Sequence, residues 1–274
     1  MIKLNKINIV YFILVLTTIL AGCSIFNYKQ LPESKGLIIE LDASGKEIWR
    51  TTEFRSPGCY NKTIKGHKLI SDNYARFIYE FDQNGQLYKL FRDYANVYIA
   101  KTAENTYLLA HNCCNLGVKE LDRFGQTLWE MKEIEQRGEI YKLTSGHYLV
   151  ADVNRGTLRV YNKEKVILKE IQGDFVVNSV QPLDNERFLI ADRKHNRIIE
   201  IDSTGTEYWQ MKNFVNEPLI ARKTANNLYV IYFSNSSTYV LDSKKQVLFK
   251  LEKFFTINIT ILPDGHTGIA GYYW

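Results

Sequence analysis

The sequence predicts an all-β fold, a six-bladed β-propeller of four-stranded blades whose ring closes by pairing the two ends of the chain. Three observations carry the prediction. A 14-residue unit recurs six times without gaps: GLIIELDASGKEIW (Gly36 to Trp49), RFIYEFDQNGQLYK (Arg76 to Lys89), LGVKELDRFGQTLW (Leu116 to Trp129), GTLRVYNKEKVILK (Gly156 to Lys169), NRIIEIDSTGTEYW (Asn196 to Trp209) and SSTYVLDSKKQVLF (Ser236 to Phe249). Each period has room for four short strands, and four strands in roughly 40–45 residues make one blade. The first unit carries only the last two strands of a blade (Leu37 to Arg50), and the chain ends on only the first two (Ile257 to Tyr272). A flat solenoid or a pair of sandwiches would not explain these complementary halves. Pairing them removes the sheet edges that would otherwise stay exposed.

Each strand follows from local pattern. In Ile198-Ile199-Glu200-Ile201-Asp202 and Thr206-Glu207-Tyr208-Trp209, apolar and polar residues alternate, which is the period of two antiparallel strands. Between them lies turn chemistry. The Asp42, Asp82, Asp122, Asn162, Asp202 and Asp242 side chains can accept a hydrogen bond from the backbone two residues on. Gly45, Gly85, Gly125 and Gly205 can take the left-handed position that closes a bulged hairpin. Lys165 and Lys245 stand where that glycine is expected, which predicts a different turn in those two hairpins. A second motif supplies the preceding strand of each blade, as in Gly146-His147-Tyr148-Leu149-Val150-Ala151-Asp152 and Glu186-Arg187-Phe188-Leu189-Ile190-Ala191-Asp192. Before each copy sits one more short apolar strand, such as Ile140 to Leu143. Trp49, Trp129 and Trp209 fall on the outermost strands of alternate blades, where packing between blades is expected.

The N-terminus reads differently. Lys3 and Lys6 precede a mostly apolar run, Asn8 to Leu20, too short for a comfortable membrane span. It ends in Leu20-Ala21-Gly22-Cys23, which resembles the lipobox of bacterial lipoprotein precursors. The resemblance implies a signal peptide at 1–22, cleavage before Cys23 and lipidation of its sulfur. A polar tether would follow at 23–35, and the propeller at 36–274. It further implies an extracytoplasmic protein held on a bacterial membrane by its lipid, on the outer membrane where the cell has one, since Ser24 rather than aspartate follows the cysteine. Cleavage would leave 252 of the 274 residues, with 33 basic against 30 acidic side chains, and no basic run marks nucleic-acid binding.

Chemistry is expected where loops gather. The loops after the second and fourth strands of each blade share one face, here called the loop face. By this register it carries Asp72, Tyr74, Arg76, His111, Asp152, Arg155, Asp192, Arg193, His195 and Arg197. Ligand-binding candidates are Arg76, His111, Arg155, Asp192, Arg193, His195 and Arg197, because guanidinium offers paired donors to an anionic ligand. The structural alternative is that Asp192 caps its own turn and Arg197 pairs with a neighbouring blade. His67, His147 and His266 lie beside tight turns at the opposite face and read as turn residues. Asn61, Asn96, Glu139, Asn178, Glu217 and Asn258 fall near the start of the innermost strands, where a ring of oxygens would suit a divalent cation; small polar residues that simply begin strands are the alternative. No other cofactor is expected. Cys59, in the loop from Thr51 to Lys62, and the pair Cys113 and Cys114 are disulfide candidates outside the cytoplasm.

The stretch from Leu189-Ile190-Ala191-Asp192 to Trp209 resembles PQQ-like and arylsulfotransferase-like repeats and NHL-type repeats. The resemblance covers nearly the whole chain after the tether and speaks mainly for fold. The expected function is a binding or scaffolding module with a protein partner or small envelope ligand. The alternative is an enzyme at the channel mouth. It would be a metal-dependent hydrolase like the lactonases, or an arylsulfotransferase-like transferase, whose catalytic histidine would correspond to His111 or His195.

Overall fold

The computed structural model describes residues 36–92, 97–102, 104–111, 117–134, 138–153, 155–183 and 186–273. The described residues belong to one compact unit, and the signal-peptide, cleavage, lipidation and tether readings of residues 1–35, Cys23 included, lie outside the described residues. The described residues contain 24 strands in six four-stranded sheets and no helix.

Strands β1 (Gly36–Leu41) and β2 (Glu47–Thr51) join β23 (Phe254–Ile261) and β24 (Thr267–Tyr273) in one sheet of order β2-β1-β24-β23. The ring therefore closes as the half-repeats predict, with Gly36 opposite Tyr272 and Leu41 opposite Thr267. The first complete blade holds β3 (Pro57–Lys62), β4 (Lys68–Asp72), β5 (Phe77–Phe81) and β6 (Leu87–Arg92). The second holds β7 (Val97–Lys101), β8 (Tyr107–His111), β9 (Val118–Leu121) and β10 (Thr127–Met131), and the third β11 (Gly138–Lys142), β12 (Tyr148–Asp152), β13 (Thr157–Tyr161) and β14 (Ile167–Ile171). The fourth holds β15 (Val177–Pro182), β16 (Arg187–Asp192), β17 (Arg197–Asp202) and β18 (Glu207–Met211). The fifth holds β19 (Pro218–Lys223), β20 (Tyr229–Phe233), β21 (Ser237–Leu241) and β22 (Val247–Leu251). Second strands such as β12 and β20 are buried on both faces, because a blade is covered by a neighbour on each side.

The outer hairpins use one turn throughout. Asp42, Asp82, Asp122, Asp202 and Asp242 each accept the amide two residues on through Oδ1. Lys165 and Lys245 are the correction: both adopt the left-handed backbone, φ 65° and 66°, and donate their amides to residues 162 and 242 as the glycines do. The surrounding ladder imposes the turn, so the side chain bears the strain. A left-handed non-glycine residue costs about 1–2 kcal/mol, partly offset by glycine's greater freedom in the unfolded chain. Lys165→Gly is therefore expected to raise stability by about 0.5–1 kcal/mol, or roughly 1–4 °C in Tm. A thermal melt that shows a lower Tm would contradict this account.

In every outer strand the register slips by one residue. The extra residue is Ile48, Tyr88, Leu128, Leu168, Tyr208 or Leu248, again 40 residues apart, and all six are exposed. Such bulges bend an edge strand and spoil it as a template for another chain.

Blades are joined by a motif the sequence reading missed. Glu40, Glu80, Glu120 and Glu200 occupy the same position in the third strand of their blades, and all are buried. Each receives a lysine and a tyrosine from the next blade. Glu80 takes Lys101 Nζ at 2.8 Å and Tyr107 OH at 2.5 Å. Glu200 takes Lys223 Nζ at 2.5 Å, with Tyr229 OH at 3.4 Å. Lys142 donates to Glu120 at 3.0 Å, alongside Tyr148. Glu40 takes Lys62 and, at 2.7 Å, Tyr60 OH. His67 and His266 belong to these stations too, at 2.9 Å from Glu80 and 2.7 Å from Glu40, so they are hydrogen-bond partners of the glutamates and not merely turn residues. Where the glutamate is replaced by Val160 or Val240, the facing positions become Pro182 and Phe188, or Ile261 and Thr267. The exchange is coordinated, since a buried charge is tolerated only with its partners. Trp129 stacks on Tyr148 at 4.1 Å and Trp209 on Tyr229 at 4.8 Å, so these tryptophans pack between blades.

Candidate functional site

Two places can be compared: the central axis, where the innermost strands meet, and the loop face around it. The axis is filled by side chains. Arg222, on β19, is 2 % exposed. Its Nε donates to Ile259 O at 3.0 Å, Nη1 to Val180 O at 3.2 Å and Ala221 O at 2.9 Å, and Nη2 to Glu139 Oε1 at 2.8 Å. Glu139 accepts Val180 N through its other oxygen, at 2.9 Å. Tyr141 OH donates to Val180 O at 2.9 Å, and Tyr98 is buried beside it with ring centroids 6.2 Å apart. One guanidinium thus joins four blades and satisfies carbonyls that would otherwise face the axis.

The expected oxygen ring does not form at one level. The residues opposite Ser71, Ala110, Ala151, Ala191, Tyr232 and Ala270 of the second strands are Cys59, Tyr98, Glu139, Ser179, Ile220 and Asn258. Only Glu139 and Asn258 of the proposed set are among them. Bulges in β3, β15, β19 and β23 shift the strand starts, which places Asn178 on a bulge and Asn61 two residues deeper. Asn178 Nδ2 donates to Glu217 Oε1 at 2.8 Å and to Pro218 O at 3.1 Å, while Asn61 Nδ2 donates to Ile99 O at 3.1 Å. Asn96 lies outside the described residues. A different group, Glu40, Asp264 and His266, brings three metal-ligating atoms within 4.8 Å of one another. Lys62 Nζ, however, bonds both carboxylates there, so a metal ion would have to displace an ammonium already in place.

Cys59 is also relocated. It lies inside β3 and not in a loop, fully buried, with Sγ 3.6 Å from Asn258 Oδ1 and 3.7 Å from Ile99 O. Burial pushes its thiol up to about 11, and it is a free cysteine. Its proposed partners Cys113 and Cys114 lie outside the described residues.

The loop face of the fourth blade holds an open cleft of about 450 Å³, lined by Asp174, His195, Arg197, Gln210, Lys212 and Phe214 among others. It sits off the axis, against the outer strands β17 and β18. Asp192 is its foundation. This fully buried carboxylate ends β16 and caps its own turn, with Oδ1 accepting Val176 N and Lys194 N, both at 3.0 Å. Oδ2 accepts from His195 Nδ1 and Arg197 Nε, both at 2.8 Å. Burial would raise this carboxyl; hydrogen bonds from Arg197, the Val176 amide and His195 outweigh it and hold it below the ordinary aspartate value. With Nδ1 engaged, the imidazole presents Nε2 to the cleft, 3.4 Å from Asp174 Oδ2. Lys194 pairs with the same Asp174, whose carboxyl is lowered first by that contact.

Of the candidates, the structure brings Asp192, His195 and Arg197 together. Arg197 pairs inside its own blade and not with a neighbour: Nη1 donates to Glu207 at 2.9 Å and Nη2 to Asp174 O at 3.2 Å. Its donors are therefore engaged, and among the described residues lining the cleft Lys212 is the cation without such a role. Arg193 is exposed nearby. Arg76 (φ 59°) and Arg155 are exposed on other blades, and His111 is buried at the end of β8. Asp174, Gln210, Lys212 and Phe214 were not foreseen. The signal was present, since residues 172–176 and 212–217 link fourth strands to the next blade on the predicted face, but their sequences do not repeat.

No protein-family profile matches this sequence, and no curated protein matches it. Solved structures do match in shape. A protein of unknown function from Bacteroides caccae superposes with a TM-score of 0.57 at 15 % identity, over 80 % of this chain and 93 % of that one. Virginiamycin B lyase from Staphylococcus aureus gives 0.57 at 9 % identity, over 87 % and 99 %. A streptogramin B lyase gives 0.56 at 11 % identity, over 80 % and 73 %. At such identities the likeness is one of fold.

Proposed function

We propose that the chain is a lipid-anchored, extracytoplasmic propeller that serves as a binding or scaffolding module of the cell envelope and engages its ligand through the loop face. The observation that carries this reading is the filled axis. The axis beneath the channel mouth, into which a lactonase-like or arylsulfotransferase-like site would open, is occupied by Arg222, Glu139 and Tyr141, all committed to one another or to backbone. The loop face offers instead an open polar cleft. A lipid on Cys23 would hold that domain at a membrane, and two or more acyl chains anchor stably.

A thermal melt after EDTA treatment, with and without calcium, magnesium or zinc, tests the reading against a metal enzyme. A cation site filled to 100 times its Kd adds about 2.7 kcal/mol, roughly 5–10 °C here. No shift is expected; a shift of that size would overturn the reading in favour of a metal-dependent hydrolase. Loss of acyl label in Cys23→Ser, with label in the parent chain, checks the anchor.

A second reading has one observation behind it: His195, oriented by Asp192, faces the cleft as an acid–base group. The lyases of similar fold give that reading a first substrate to try. Turnover of a streptogramin B antibiotic, lost in His195→Ala, would establish it; no turnover by a folded parent chain would retire that substrate.

A further inference from the structure

The cleft of the fourth blade is a built site, because contacts from two blades hold its walls. Arg197 Nη1 donates to Gln210 Oε1 at 3.3 Å, and Asn196 Nδ2 donates to Phe214 O at 2.9 Å. From the fifth blade, Lys245 Nζ donates to Lys212 O at 2.7 Å. Phe214 packs against Phe233 of β20 with ring centroids 5.2 Å apart. The segment 212–214 therefore stands in place before a ligand arrives, and a preorganised site loses less entropy on binding.

The chemistry of the lining narrows the ligand. Arg197 is held by Asp192 and Glu207, and Lys194 by Asp174. One ammonium, that of Lys212, is left among the described cations of the lining, and an anion would meet the Asp174 carboxylate, which is 72 % exposed. Phe214 is the one apolar residue among the described residues that line the cleft, too little for a hydrophobic ligand. What stays open is a mixture of polar groups. The Asp174 carboxylate accepts, the Lys212 ammonium donates, and the Asn213 amide does both. Gln210 Oε1 is taken by Arg197, so its amide nitrogen remains to donate.

A sugar asks for that mixture. Each hydroxyl both donates and accepts, and the C–H face of a pyranose ring packs on the electron-rich face of an aromatic side chain. The cleft volume, about 450 Å³, lies in the range of small-molecule sites. We infer that the cleft is a binding site for a neutral saccharide, with Phe214 as the platform for its C–H face and Asp174, Gln210, Lys212 and Asn213 as partners for its hydroxyls. The inference rests on the reading of the loop face as the surface that engages a ligand, and it names the class of that ligand.

Saturation-transfer NMR on the full chain, in a detergent without sugar headgroups, tests it. The probes are the methyl glycosides of glucose, galactose, mannose and N-acetylglucosamine, with glucuronate for comparison and inorganic phosphate as competitor. At least one neutral glycoside is expected to receive saturation, most strongly at the C–H protons of one ring face, and to keep it in excess phosphate. Phe214→Ala should abolish the transfer. Asp174→Ala and Gln210→Ala change exposed side chains, so they read the site even where F214A fails to fold. Each should weaken binding about two- to tenfold, as for one lost hydrogen bond. No transfer to any of these glycosides, or transfer unchanged in D174A and Q210A, overturns the inference. Preference for glucuronate with competition by phosphate overturns it too, in favour of an anion site. The two readings fail separately. If no glycoside binds while Cys23 still takes an acyl label, the saccharide site falls and the anchored module stands. Conversion of a bound glycoside into a new product would leave the saccharide site standing and retire the reading of a module that only binds.

Discussion

Replacing Arg222 by methionine is expected to destabilise the propeller by about 3–5 kcal/mol, which for a chain of this size lowers Tm by roughly 10 °C or more. The arginine joins β19 to Ile259 on β23, Val180 on β15 and Glu139 on β11. Methionine fills similar volume but leaves the Glu139 carboxylate without its cation and the Ile259 and Ala221 carbonyls without the arginine donor, while Val180 O keeps the Tyr141 hydroxyl. Arg222→Lys is expected to fall between, because one ammonium cannot serve four acceptors spread around a planar fork. Glu139→Gln should cost less than R222M, since its amide oxygen still accepts from Nη2. The R222M/E139Q pair should cost less than the sum of the single changes, as expected for groups in contact. Thermal melts of the four variants decide it; a Tm for R222M within 2–3 °C of the parent, about 1 kcal/mol, would mean the axis is not held this way.

The second large effect belongs to the buried glutamates between blades. Glu80 is fully buried and accepts from Lys101, Tyr107 and His67. Burial alone would raise its carboxyl, and those of Glu40 and Glu120. Hydrogen bonds outweigh burial and hold all three below the ordinary value of 4.5: from Lys101, Tyr107 and His67 at Glu80, from Lys62, Tyr60 and His266 at Glu40, and from Thr106, Tyr148 and Lys142 at Glu120. A carboxyl lowered in the folded state stabilises it fully above the unfolded value and loses that contribution as pH falls through the folded value. Stability should thus hold from pH 7 to about 5 and decline steeply below about 4.5. Glu80→Ala strands Lys101, whose side chain is 10 % exposed, and should cost about 3–5 kcal/mol at pH 7. The E80A chain should also lose less stability between pH 5 and pH 3 than the parent. Denaturant melts at each pH test both; equal acid sensitivity in parent and variant would mean these carboxylates do not govern acid unfolding.

Much of the fold was legible because its causes are local and repeated. Alternation over five residues sets a strand, Asp202 with Gly205 sets a hairpin, and a 40-residue period sets the blade. The two half-repeats at Gly36 and Tyr272 then leave one way to close the ring. The lysines at 165 and 245 show where local reasoning stops: neighbouring strands impose a backbone that lysine itself disfavours. Alternation also read Glu40, Glu80, Glu120 and Glu200 as ordinary polar positions. Their lysine partners stand 21–23 residues away in the next blade, a spacing that shows as a pattern only when the blades are stacked.

The candidate site divides along the same line. By itself the sequence determined that Asp192, His195 and Arg197 share a loop, because they fall within six residues after a recognisable strand. It determined equally that this loop belongs to one face with Arg76 and Arg155. Only the tertiary structure decided that Arg197 is consumed by Glu207 and Asp174, that Lys212 completes the cleft, and that the polar starts of the inner strands miss one another at the axis. The physical reason is register. A single bulged residue in β3, β15, β19 or β23 moves what faces the axis by one position, and such a slip leaves the 40-residue period intact.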